Sequence, residues 1–66
     1  MTETQRKKLT FNLARVNQTT VSRIDIDRIE ERADGQKEVY YKARGFRHGA
    51  ELGADGVTVG KRWRVV

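Results

Sequence analysis

The sequence predicts a mainly β fold, a small curled sheet or five-stranded barrel with an Asp34-Gly35 hairpin at its centre. Three observations predict it. Asp34-Gly35 is a strong signal for a two-residue type I′ turn, which needs positive φ at both positions. Pairing outward from Ala33 opposite Gln36 collects Ile24, Ile26, Val39, Tyr41 and Ala43 on one face. The other face then carries the opposite-charge pairs Asp27 with Lys42 and Asp25 with Arg44, and sets Ile29 against Tyr40. Finally, apolar residues alternate at Leu9, Phe11 and Leu13 and at Val57 and Val59, the period of a half-buried strand.

Taken in order, residues 1–7 form a polar tail that frays, and residues 8–66 form one small β domain. Residues 8–16 are the first strand, and Asn17-Gln18-Thr19 a turn. Residues 20–32 and 37–44 are the hairpin arms, with the like-charge pairs Glu31/Glu38 and Arg32/Lys37 next to the turn. Gly45, Gly49 and Gly53 punctuate a looser segment, in which Ala50-Glu51-Leu52 is one helical turn or a short strand. A second Asp-Gly, Asp55-Gly56, introduces Val57-Thr58-Val59. Gly60 marks a bulge or bend. Residues 61–66 finish as a strand with Trp63 and Val65 on one side and Arg62, Arg64 and Val66 on the other. Five short strands joined by Gly- and Asp-rich turns fit an SH3-like or OB-like layout, and closure is favoured because an open sheet leaves two edges exposed.

Composition narrows the function classes. With 66 residues the chain buries only about 60% of its unfolded surface, so its stability margin is thin, and a homodimer is one way to enlarge the core. There is no cysteine, which excludes disulfides and thiolate metal sites, and the lone His48 builds no metal centre by itself. No cofactor is expected. Ser22 is the only serine and lies far from His48 in the chain, no Gly-rich run suits a phosphate-binding loop, and Asp25 and Asp27 face cations; the expectation is a non-enzyme. The N-terminus lacks the apolar run of a signal peptide, so a cytoplasmic protein with no membrane partner is expected.

The net charge of +5 is unevenly spread: residues 1–36 hold seven Lys/Arg against six Asp/Glu, residues 37–66 seven against three. A basic half favours an anionic partner, nucleic acid first and an acidic protein second. Lys42, Arg44, Arg47, Lys61, Arg62 and Arg64 supply charge close to the aromatic residues Phe46 and Tyr40, the mixture that tracks phosphates and stacks bases. The expectation is a small nucleic-acid-binding module, regulatory or accessory, of the phage or mobile-element type. The alternative is an inhibitor or structural adaptor docking on an acidic protein. Two local resemblances point to transcriptional regulators. Val16-Asn17-Gln18-Thr19-Thr20-Val21-Ser22-Arg23-Ile24 resembles the turn and recognition helix of helix-turn-helix repressors. Residues 7–13 resemble the N-terminal strand of ribbon-helix-helix repressors, which implies base contacts by Thr10 and Asn12 and a helix over residues 37–52.

Overall fold

The computed structural model describes residues 1–65. An N-terminal helix α1 (Glu3–Val16) and a short 3-10 turn (Val21–Arg23) precede four strands, β1 (Ile24–Glu31), β2 (Lys37–Ala43), β3 (Phe46–Leu52) and β4 (Val59–Arg64). The strands form one antiparallel sheet in chain order, β1-β2-β3-β4, with α1 against one face. The sheet is open, with β1 and β4 at its edges, and does not close into the five-stranded barrel expected. Both edges carry a bulge, at Asp27 in β1 and around Gly60-Lys61 in β4. Bulges and charged side chains are common ways to blunt a free edge, which removes the argument for closure.

Helix α1 occupies both the segment read as a polar tail and the stretch read as a strand. Its start is fixed by a capping box: the Thr2 hydroxyl accepts from the Gln5 N–H at 3.1 Å, and Gln5 Oε1 accepts from the Thr2 N–H at 2.9 Å. Leu9 and Leu13 satisfy the one-turn spacing of a helix as well as the alternation of a strand, and both are fully buried. Phe11, the third member of the alternation, is 60% exposed on the far side. The helix ends in a Schellman motif, with Thr19 N–H donating to Ala14 O at 2.9 Å and Gln18 N–H to Arg15 O at 3.2 Å; Gln18 takes the left-handed conformation, φ 54°. The residues compared with a recognition helix therefore form this cap, the 3-10 turn and the start of β1. The residues compared with a ribbon are helical, and the helix implied for 37–52 is the pair β2 and β3.

The β1–β2 hairpin is present, with a different turn. Gly35 N–H donates to Arg32 O at 2.9 Å and Arg32 N–H to Gln36 O at 2.8 Å, so the loop is Ala33-Asp34-Gly35, and Gly35 alone has positive φ (87°). The third loop residue moves the register by one, pairing Ile29 with Val39 and Arg28 with Tyr40. The bulge at Asp27 moves it by one more, so Ile26 meets Tyr41 and Ile24 meets Ala43. A slip of two restores the faces, and Ile24 and Ile26 do pack beside the core. It also undoes the expected ion pairs: Asp25 lies opposite Lys42 instead of Arg44, and Asp27 turns to Arg28 at 2.6 Å. The two-residue turn with positive φ at both positions occurs instead at Arg44-Gly45 (54° and 84°), where it joins β2 to β3. The segment read as loose is strand β3.

The core is small and one-sided. Leu9 and Leu13 pack with Val39, Tyr41, Ala43, Ala50 and Leu52, bordered by Ile24, Ile26, Val57 and Val59. Tyr41 brings its hydroxyl to the helix C-terminus, where Asn17 Nδ2 donates to it at 2.8 Å. Burial raises the Tyr41 pKa above the usual value. Trp63 lies on the opposite face, half-buried.

The β3–β4 turn is held by Asp55, whose carboxylate accepts from the Thr58 hydroxyl and from the N–H groups of Thr58 (2.8 Å) and Val57 (3.0 Å). These donors, the Thr58 hydroxyl foremost, hold its pKa at about 2, against an ordinary 3.8. Because the folded value is the lower one, the contribution is complete well above pH 3.8 and is lost as the pH falls through about 2. Urea unfolding of wild type and Asp55→Ala should therefore show a stability difference that is level at neutral pH and shrinks over that acid window. A difference that persists undiminished at pH 2 contradicts this role.

Candidate nucleic-acid interface

The register sorts side chains into rows that cross the sheet. Because Val39, Tyr41 and Ala43 are buried under α1, the residues alternating with them point to the uncovered face. On that outer face, Glu30, Glu38 and Glu51 form one row, Arg28, Tyr40, Gly49 and Trp63 the next, and Asp25, Lys42 and Arg47 a third. The helix-side face carries Ala43 and Phe46, then Ile26, Tyr41, His48 and Arg64, then Ile29, Val39, Ala50 and Arg62.

Charge is segregated along the strands. Like charges directly opposite one another destabilise a sheet, and the three glutamates are offset by two arginines. Arg28 Nε meets Glu30 at 2.9 Å; Arg32 reaches Glu38 at 3.5 Å and Glu51 at 3.6 Å. Every ion pair among the described residues uses Arg28 or Arg32. Toward the other end of the sheet Lys42, Arg44, Arg47 and Arg64 make none, and neither do Lys61 and Arg62 of β4, which lie level with Glu51 and Ala50 of β3. Two of these arginines close the C-terminus of α1: Arg44 Nη2 donates to Asn17 O at 3.0 Å and Arg62 Nη1 to Val16 O. The helix's last carbonyls are thereby satisfied, and two cations sit at the negative end of its dipole. The Asp25 partner expected for Arg44 is replaced by a backbone carbonyl.

Between the β2–β3 turn, the end of β4 and the helix terminus lies a depression of about 300 Å³ lined by Asn17, Ala43, Arg44, Phe46, His48 and Arg64. Phe46, 54% exposed, lies under the Arg64 guanidinium, 4.5 Å from ring centroid to Cζ. His48 stacks on Tyr41 at 5.4 Å. Its pKa is pushed below the usual 6.5 by partial burial and then by Arg64, Arg62 and Arg44, which converge on it without a neutralising carboxylate.

Of the eight residues the sequence nominated, the structure brings Arg44, Phe46 and Arg64 together at this depression, sets Arg62 against the helix end, and leaves Lys61 in the β4 bulge level with Glu51, in a second depression that it shares with Asn17 and His48. Lys42, Arg47 and Tyr40 belong to the outer face. Tyr40 is already engaged there: the Arg28 guanidinium lies 4.4 Å from its ring, Trp63 meets it edge-on at 6.2 Å, and its hydroxyl donates to Glu38 at 3.3 Å. Burial and then Glu38 raise its pKa. Asn17 and His48 were missed. Reading 46–52 as a strand would have placed His48 beside Phe46 by its period of two.

No known protein family, curated protein or solved structure matches the chain. No helix among the described residues is long and apolar enough to cross a membrane.

Trp63 reaches Tyr40 only because Gly49 lies beneath it; a Cβ there would stand 2.5 Å from Trp63 Cε2. Gly49→Ala should displace the indole, red-shift the emission of the sole tryptophan and cost about 1–3 kcal/mol in denaturant unfolding. Unchanged emission would contradict this packing.

Proposed function

We propose that the protein binds single-stranded nucleic acid through the basic pole around the 300 Å³ depression. Arg44 and Arg64 contact phosphates at the depression and Lys61 a third along the β4 edge, in the neighbouring depression it shares with Asn17 and His48; Arg62 holds the helix end that frames the site, and Phe46 offers its ring to an unpaired base. The supporting observation is that no ion pair among the described residues engages these cations, while Glu30, Glu38 and Glu51 are held by Arg28 and Arg32. Unneutralised cations beside an exposed aromatic ring suit a strand whose charge is regular and whose bases are free to stack. A duplex offers the charge without the free bases.

Fluorescence anisotropy with labelled single-stranded oligonucleotides tests the proposal. Three phosphate contacts give a log–log salt slope of about −2. Arg64→Ala should reduce the slope by about 0.7, one phosphate's share on a single strand. Phe46→Ala should lose about 1–3 kcal/mol with the slope unchanged. No binding at low salt would overturn the proposal and leave the acidic-protein reading. A second readout is His48. A bound phosphate opposes the arginine field, so the imidazole pKa followed by NMR should rise on binding; a value indifferent to oligonucleotide places the contact elsewhere.

A further inference from the structure

The outer face of the sheet is uncovered and patterned in a way that the nucleic-acid proposal does not use. Its glutamate row repels phosphate, its centre is aromatic, and Lys42 and Arg47 lie opposite each other with no carboxylate of the described residues bonded to either. From the centre outward along the strands, the Arg28–Tyr40–Gly49–Trp63 row has the acidic row on one side and the Lys42–Arg47 row at equal spacing on the other. Such a face is complementary to itself under one operation. A two-fold axis running across the strands along the aromatic row reverses strand direction. It thereby sets Lys42 over the partner's Glu38 and Arg47 over the partner's Glu51. Tyr40 and Trp63, on the axis, meet their own copies. A two-fold axis parallel to the strands instead stacks like charges.

We propose that the protein forms an isologous homodimer by packing these outer faces together about the first axis. Two sheets packed face to face share an apolar layer about 10 Å thick, and the aromatic row supplies its middle. The molecule is 30 × 29 Å across and 17 Å thick, so its broad face is of the size of the roughly 800 Å² per partner that stable complexes bury. A depression of about 430 Å³ lined by Asp25, Arg28, Tyr40, Lys42, Arg47 and Val65 leaves room for side chains of the second copy. Two juxtapositions are unfavourable, Asp25 over the partner's Glu30 and Arg28 over its own copy on the axis; Arg28 holds Glu30 at 2.9 Å and Asp27 at 2.6 Å, which offsets charge in both. Each dimer presents its two basic depressions on its outside, leaving both open.

Sedimentation equilibrium of the full chain tests this, the expected mass being twice the 7.6 kDa of one chain. The charge-reversed variants K42E/R47E and E38K/E51K should each sediment as monomers, the first with two acidic rows and the second with two basic ones. Mixed in equal amounts they should regain the dimer, since each then meets its complement. A monomeric wild type, dimers of either variant alone, or a mixture that stays monomeric would overturn the proposal. A measurement on the unmodified chain does not depend on how the variants fold: diluting the dimer should red-shift Trp63 emission in step with the fall in mass, and emission constant across that fall would place the interface elsewhere. Arg64→Ala should leave the dimer intact, which separates this interface from the nucleic-acid site.

Discussion

The docking of Leu9 and Leu13 against the Val39–Tyr41–Ala50–Leu52 face is the contact on which the rest of the molecule depends. The chain has only one apolar layer to bury, and the helix is its only cover. A four-stranded sheet of this size with one wet face gains most of its stability on the other, since isolated hairpins are marginal in water. The same contact brings the C-terminus of α1 over the ends of β2, β3 and β4. There Asn17 finds the Tyr41 hydroxyl, and the carbonyls of Val16 and Asn17 find Arg62 and Arg44. The basic depression is a by-product of that docking: its wall is the helix end, its floor His48 stacked on a core tyrosine.

The arginines divide by what they touch. Arg28 holds Asp27 and Glu30 within β1, Arg32 reaches Glu38 of β2 and Glu51 of β3, and together they offset the repulsion of a glutamate row. Arg44 and Arg62 complete the helix terminus. Arg64 contacts a ring and makes no ion pair among the described residues. Exposed ion pairs contribute little to stability, and these arginines therefore matter more for where charge is left over than for how firmly the fold holds. Cations outnumber carboxylates toward one end because Glu30, Glu38 and Glu51 line up at the other, with Asp25 the one acidic residue in the Lys42–Arg47 row.

Much of the sheet was legible from residue period. Ile24, Ile26, Val39, Tyr41 and Ala43 share a face because that property depends on parity alone, and the two register errors cancelled. Turn chemistry was not. Asp-Gly suits a two-residue turn and equally the last two places of a three-residue loop with a left-handed glycine. Only the pairing of Arg32 with Gln36 distinguishes them. The actual two-residue turn contains Arg44 at positive φ, an uncommon choice that tertiary contact sustains through Asn17. The helix was hidden by its brevity of pattern: over five residues, Leu9-Thr10-Phe11-Asn12-Leu13 fits both periods, and the deciding signal was the Thr2/Gln5 capping box, which begins seven residues before Leu9. At the candidate site, composition found the cations, but it could not tell which face each would occupy, because β3 was not recognised as a strand.

Strand order equal to chain order has a consequence for how the molecule is made. Every hydrogen-bonded strand pair joins neighbours along the chain, so the loops that must close are short and their entropic cost small. The distant closures are those of α1 onto the sheet, typified by Asn12 with the Val57 carbonyl, 45 residues away, and Arg62 with Val16, 46 away. The first hairpins can therefore form and dissolve quickly while the nascent chain is still incomplete. Commitment waits for β3, which completes the face that Leu9 and Leu13 dock on; the last strand then adds the Val57 carbonyl for Asn12 and the Arg62 guanidinium for the helix end.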